Sequence, residues 1–182
     1  NPVFMLTAAK LGVPRFCYYF SGFGYTDRTG IDLPGEAAPL YNIGESKMHD
    51  VELAVYSFGQ TFKVTAIQQL RAISSVANGG YLVTPHVVEK IIDDDGKVLY
   101  EADNSYERQI VSEDTCKLLA EMMEGGVIDG SAKNAYVSGY RIAAKTGTSQ
   151  KQDKYAEDGS RPYRVGSTVA FGPLESPEIA II

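Results

Sequence analysis

Apolar residues recur at helical spacing most clearly in one stretch, where Ala66, Ile67, Leu70, Ile73 and Ala77 fall on a single face behind Thr65. Asn78-Gly79-Gly80 supplies the stop, since glycine takes the left-handed backbone that closes a helix. A second helix is predicted after Ser112, a capping residue followed by Glu113 and Asp114, whose carboxylates complement the helix dipole. Leu118, Leu119, Met122 and Met123 are its predicted buried side and Gly125-Gly126 its end. At the amino end, Asn1 and Pro2 suit an N-cap and first helical position. Val3, Phe4, Leu6 and Leu11 then form an apolar face that Gly12 terminates. A short aromatic-rich helix over 15–20 follows, with Tyr18, Tyr19, Phe20 and Phe23 read as core.

The β pattern lies elsewhere. Segments 87–92 and 97–100 flank Asp93-Asp94-Asp95-Gly96, the composition of a hairpin turn, and predict a surface hairpin. Segments 140–149, 166–171 and 178–182 read as strands, and Gly172-Pro173-Leu174-Glu175-Ser176-Pro177 between the last two is short enough for an antiparallel connection. The stretch 22–44, dense in Gly, Pro and Asp, predicts a long structured loop with a brief strand over 31–33. Helices followed by a run of strands predict an α+β fold, helices packed on an antiparallel sheet. A length of 182 residues accommodates one domain, 1–182.

Composition narrows the function classes. With 44% hydrophobic and 22% charged residues the chain is globular rather than disordered. A net charge of −6 disfavours nucleic acid, whose phosphates demand clustered Lys and Arg. Lys145, Lys151, Lys154, Arg161 and Arg164 still form a local basic strip, suited to a solvated loop or a small anionic ligand. The two cysteines, Cys17 and Cys116, sit among hydrophobic residues and read as small buried side chains, although spacing leaves a disulfide open. His49 and His86 are far apart, and neither a metal nor a cofactor is expected. No apolar run is long enough to span a bilayer. The opening Asn1-Pro2 reads as cut from a longer protein, which places any membrane anchor upstream.

The candidate chemistry centres on Lys145-Thr146-Gly147-Thr148-Ser149 at the end of a predicted strand. A strand edge accepts an extended peptide as an added strand. Gly147 lets that backbone approach closely, while Lys145, Thr146 and Thr148 can hold a carboxylate by charge-assisted hydrogen bonds. Lys-Thr-Gly is also one of three motifs of penicillin-binding proteins and serine β-lactamases, alongside Ser-x-x-Lys and Ser-x-Asn. Its company here is Thr29-Gly30-Ile31-Asp32-Leu33-Pro34-Gly35-Glu36, Ser57-Phe58-Gly59-Gln60, Thr65-Ala66-Ile67-Gln68-Gln69, Ala77-Asn78-Gly79-Gly80 and Gly139-Tyr140-Arg141-Ile142-Ala143-Ala144. In that order, over nearly the whole chain, these blocks resemble the class B penicillin-binding transpeptidases, especially the division and sporulation types of Gram-positive bacteria.

The resemblance implies a β-lactamase/transpeptidase-like fold, here incomplete: the carboxy-terminal part of one transpeptidase domain. It places Asn1 as the third residue of Ser-x-Asn, orienting the acyl side chain of a substrate. Lys145, Thr146, Gly147 and Thr148 then bind the substrate carboxylate, and the Thr148 backbone N–H forms half of an oxyanion hole. The implied partners are the D-Ala-D-Ala end of a peptidoglycan stem peptide and β-lactams, and the implied location is the outer face of the bacterial cytoplasmic membrane. No serine of the chain has a lysine three positions later, so the nucleophile is expected upstream. A β-lactam sensor domain of a signalling receptor and a catalytically silent binding module are the competing readings. Gly59 and Gln60 suit either the groove or a tight turn, and Arg164, Ser167 and Thr168 either ligand contact or ordinary strand positions. The absence of sequence beyond Ile182 predicts bare apolar surface over Val169, Phe171, Ile179 and Ile181.

Overall fold

The computed structural model describes residues 1–41, 44, 48–155 and 162–182, with the side chains of 151–155 and 162 excepted. The chain opens with three helices, α1 (Pro2–Leu11), α2 (Val13–Gly22) and α3 (Asp50–Ser57). Gly12 at φ 79° separates the first two, a backbone angle that side-chain-bearing residues rarely take. Asn1 precedes α1 as expected, but its side chain makes no capping hydrogen bond. The predicted apolar face of α1 is also turned outward, with Val3, Phe4 and Leu6 exposed. What α1 buries is Ala8, against Met48, Leu53 and Tyr56. In α2, Phe20 is buried among Phe16, Tyr25, Tyr56 and Phe62, whereas Tyr18 is exposed, contrary to its reading as core.

Helix α3 carries no strong apolar period and was not anticipated. It starts where Glu52 Oε2 accepts from the His49 amide at 3.1 Å and ends in a turn that settles Gly59, at φ 86°, as a turn residue. Helix α4 (Ala66–Ala77) matches its predicted bounds. Its capping box is reciprocal: Thr65 Oγ1 accepts from the Gln68 amide at 3.2 Å and Gln68 Oε1 accepts from the Thr65 amide at 2.9 Å. The fully buried Gln68 spends its Nε2 on the Asp27 carbonyl at 2.6 Å, which fastens the preceding loop to α4.

After α4 come β1 (Tyr81–Val83), β2 (Lys90–Ile92), β3 (Val98–Glu101) and β4 (Tyr106–Gln109). The β2–β3 hairpin forms as predicted and is exposed along both strands. Pairing of β1 with β4 closes a second ribbon around it, held to α4 by the buried Arg71, which donates to the Val83 carbonyl at 2.7 Å and pairs with Glu107. No strand forms over 31–33. Side chains replace the ladder there: the Glu36 carboxylate accepts from the Thr29 amide and hydroxyl at 2.7 Å each and from the Gly30 amide at 3.2 Å. Asp32 likewise accepts from the amides of Val87 and Val88, both at 2.8 Å, tethering this loop to the hairpin base.

Helix α5 (Glu113–Ile128) begins at Ser112 as expected but runs straight through Gly125-Gly126. Each glycine costs a helix about 1 kcal/mol relative to alanine, and continuation buries Val127 to 4% exposure. Of the predicted buried side only Met123 is buried, in a stripe with Cys116 and Val127; Leu118, Leu119 and Met122 are exposed, Met122 to 68%. A short 3-10 turn (Lys133–Ala135) leads to β5 (Ala143–Tyr155), β6 (Pro162–Gly172) and β7 (Ile179–Ile181), an antiparallel sheet in the order β5-β6-β7.

The sheet packs on α4 and α5. Ala143 and Phe171 join Ile73, Val76, Cys116 and Met123 in one core, while Ala144 meets Val127 and Ala132 in another. Phe171 is therefore buried and Val169 half-buried, in contrast to the expected bare surface; Ile179 and Ile181 are exposed as expected. Burial pushes the Cys116 thiol up, helped by Glu113, so it stays a protonated, inert core group.

Candidate functional site at the edge of the sheet

The predicted site residues emerge from the core along β5. Ala143 and Ala144 are fully buried, and the next residues, Lys145 to Ser149, run out toward solvent. Arg141, just before the strand, grips Glu124 of α5 with two hydrogen bonds, Nε to Oε1 at 2.7 Å and Nη2 to Oε2 at 2.6 Å. This fork holds the Glu124 carboxyl below its usual range. A buried root and an ion pair at its base thus fix an exposed tip.

Register against β6 sets Lys145 opposite Val169, Thr146 opposite Thr168, Gly147 opposite Ser167 and Thr148 opposite Gly166. Gly147 is needed at its place, because a Cβ there would lie 2.8 Å from Ser167 Oγ. Lys145 is exposed, and its Nζ donates to the Thr146 carbonyl at 2.7 Å. In a regular strand, residues two apart direct their N–H and C=O to the same side. The Thr148 amide therefore shares the side of the Thr146 carbonyl. Because β5 is the outermost strand of its sheet, one of its edges takes no partner among the described residues.

The Thr146 hydroxyl lies 2.9 Å from Ser131 Oγ. These two residues, with Ala132, Asn134, Ala135 and Thr168, line a shallow cleft of about 260 Å³. Ser131 and Asn134 escaped the sequence reading, because only folding brings the loop after α5 beside β5. Thr168 joins the cleft; Ser167 faces Gly147, and Arg164 is an exposed strand residue opposite Gln150. The side chains of Lys151 and Lys154, and all of Arg161, lie outside the described residues, so the basic strip is described only at Lys145 and Arg164.

Asn1 is exposed at the start of α1, a helix that packs on α2 and α3. Among the described residues no hydrogen bond or ion pair joins it to β5. No trio of His, Cys, Asp or Glu among the described residues is arranged to hold a metal, and no described helix is long and apolar enough to cross a membrane.

The site is thus a Lys145-Thr146-Gly147-Thr148 tip on the outer strand of an antiparallel sheet backed by helices. Residues 1–182 match the penicillin binding protein transpeptidase domain, and the chain belongs to that family. It is 36% identical over 188 residues to Stage V sporulation protein D of Bacillus subtilis (strain 168), covering 100% of this chain and 28% of that protein. Peptidoglycan D,D-transpeptidase MrdA of Acinetobacter baumannii is 30% identical over 197 residues, with 98% of this chain and 29% of that protein covered. The chain thus spans less than a third of these relatives' length. Among solved structures, penicillin binding protein 3 from Mycobacterium tuberculosis complexed with aztreonam superposes with a TM-score of 0.86 over 97% of this chain and 41% of that one. At 23% identity that likeness establishes the fold, which is the α+β arrangement expected from the sequence.

Proposed function

We propose that this chain is the carboxy-terminal part of the transpeptidase domain of a serine-type peptidoglycan D,D-transpeptidase, and that the tip of β5 docks the acidic end of its substrate. The observation that carries this reading is the Lys145-Thr146-Gly147-Thr148 segment, exposed except for the half-buried Thr146, on an edge strand whose root is locked in the core. Lys145 and the hydroxyls of Thr146 and Thr148 hold the terminal carboxylate of a D-Ala-D-Ala stem peptide, or that of a β-lactam. The Thr148 amide stabilises the oxyanion that forms when a serine attacks the penultimate carbonyl. The C–N bond then breaks, D-alanine departs with a proton on its amine, and the acyl group passes to an amine of a neighbouring strand. Asn1 orients the acyl side chain.

The nucleophile belongs to a Ser-x-x-Lys motif preceding Asn1, a reading supported by the lack of any serine in these 182 residues with a lysine three positions on. On this reading the parent protein is anchored in the cytoplasmic membrane and works on its outer face. The match to the transpeptidase domain and the likeness to Peptidoglycan D,D-transpeptidase MrdA favour a transpeptidase over a sensor of β-lactams.

A labelled penicillin tests the proposal. The full-length protein should form a covalent adduct and the 182-residue chain alone should not, since loss of a nucleophile costs roughly a million-fold in rate. Lys145→Ala in the full-length protein should slow the adduct sharply. An adduct on the isolated chain, or an unchanged rate in Lys145→Ala, would overturn it.

A further inference from the structure

We infer that Ser131 is a positioning residue for the substrate carboxylate: its hydroxyl donates to Thr146 and thereby reserves the single Thr146 proton for the ligand. The inference rests on the reading of Lys145, Thr146 and Thr148 as the carboxylate-holding tip. The two hydroxyl oxygens are 2.9 Å apart, a distance at which one must donate and the other accept. A threonine hydroxyl has one hydrogen and two acceptor positions. If Thr146 gave its hydrogen to Ser131, an arriving carboxylate would meet only lone pairs. With Ser131 as donor, the Thr146 hydrogen is left to point into the cleft that both residues line.

Ser131 is held firmly enough for this task. The Gly126 carbonyl, at the end of α5, accepts from the amides of both Gly130 and Ala132 at 3.1 Å, one on each side of Ser131. Ala132 is buried to 4% exposure and packs with Val127 and Ala144, the residue two before Thr146. Gly130 sits so close to this helix end that a Cβ would fall 2.7 Å from the Gly126 backbone. Loop and strand therefore share one small core, and the hydroxyl pair spans them at its solvent edge.

The test measures acylation rates of the full-length protein with a penicillin and with the methyl ester of the same penicillin, which lacks the carboxylate charge. Ser131→Ala should slow the acid by about three- to tenfold, the range of one neutral hydrogen bond, and slow the ester less, because an uncharged carbonyl accepts a weaker hydrogen bond. Ser131→Thr, which keeps the donor, should restore the acid rate. On a Thr146→Ala background, Ser131→Ala should have no further effect. Equal slowing of acid and ester, failure of Ser131→Thr to rescue, or an undiminished effect on the Thr146→Ala background would overturn the inference. So would an unchanged acid rate in Ser131→Ala when Thr146→Ala is slow. If instead both Lys145→Ala and Thr146→Ala leave the acid rate unchanged, the carboxylate tip is itself wrong and Ser131 has nothing to position.

Discussion

The β5–β6 and β2–β3 hairpins share an antiparallel ladder and differ in what holds them. One end of β5–β6 is rooted: Ala143, Ala144 and Phe171 are all buried to 2% exposure or less. The β2–β3 hairpin has no such root. Ile91, Ile92, Val98, Leu99 and Tyr100 are each at least 41% exposed, and the ribbon is tied at its base by the Asp32 carboxylate and by the Ala102 amide, which donates to the Glu89 carbonyl at 2.8 Å. Isolated two-stranded ribbons are marginal in water. Exposure alone therefore does not mark a site. A strand tip can hold reacting groups in a defined geometry when a packed root fixes its position, and the 2.9 Å hydroxyl pair at Thr146 depends on that root.

The sharpest break in this contrast would come from the root. Phe171→Ala removes a 2%-exposed ring from the core and should cost about 3–5 kcal/mol in denaturant unfolding; a loss below 1 kcal/mol would mean that the sheet is not anchored there. Lys145→Ala, at the exposed tip, should do the opposite. It should leave unfolding unchanged and slow penicillin acylation of the full-length protein by about ten- to a hundredfold, the range of one hydrogen bond to a charged group.

Smaller effects are expected at the tethered hairpin. The Val88 and Val87 amides hold the Asp32 carboxyl below its usual range. With a lowered folded-state value, the tether contributes fully above the ordinary aspartate pKa of about 3.9 and is lost as the pH falls through the lowered value. An acid-active protease should cut 87–101 progressively faster on acidification below that point. In Asp32→Asn the segment should already be labile at neutral pH, and the difference between the two proteins should vanish in acid. Leu99→Ser should change stability by less than about 0.5 kcal/mol, as surface substitutions do, because Leu99 is already 60% exposed. A larger loss would show that the hairpin is covered after all.

Elements written in local spacing were legible without coordinates. Ala66, Ile67, Leu70, Ile73 and Ala77 recur at helical spacing behind Thr65 and α4 spans them; Asp93-Asp94-Asp95-Gly96 turns the β2–β3 hairpin; Lys145-Thr146-Gly147-Thr148 lies on a strand. Neighbours along the chain govern these features through turn geometry and helical or strand period. The family was legible for a related reason, since its motifs are short runs in a set order. Which face of α5 is buried was not legible, because Leu118 and Met122 are as apolar as Met123 and only the position of the sheet selects Cys116, Met123 and Val127. Nor was the absence of a strand over 31–33, where Glu36 accepts from the donors of Thr29 and Gly30 and Asp32 reaches across to accept from the amides of residues 87 and 88. The meeting of Ser131 with Thr146 belongs to the same class. Such contacts depend on where whole elements pack, and a hydroxyl fifteen positions away leaves no periodic trace in the chain.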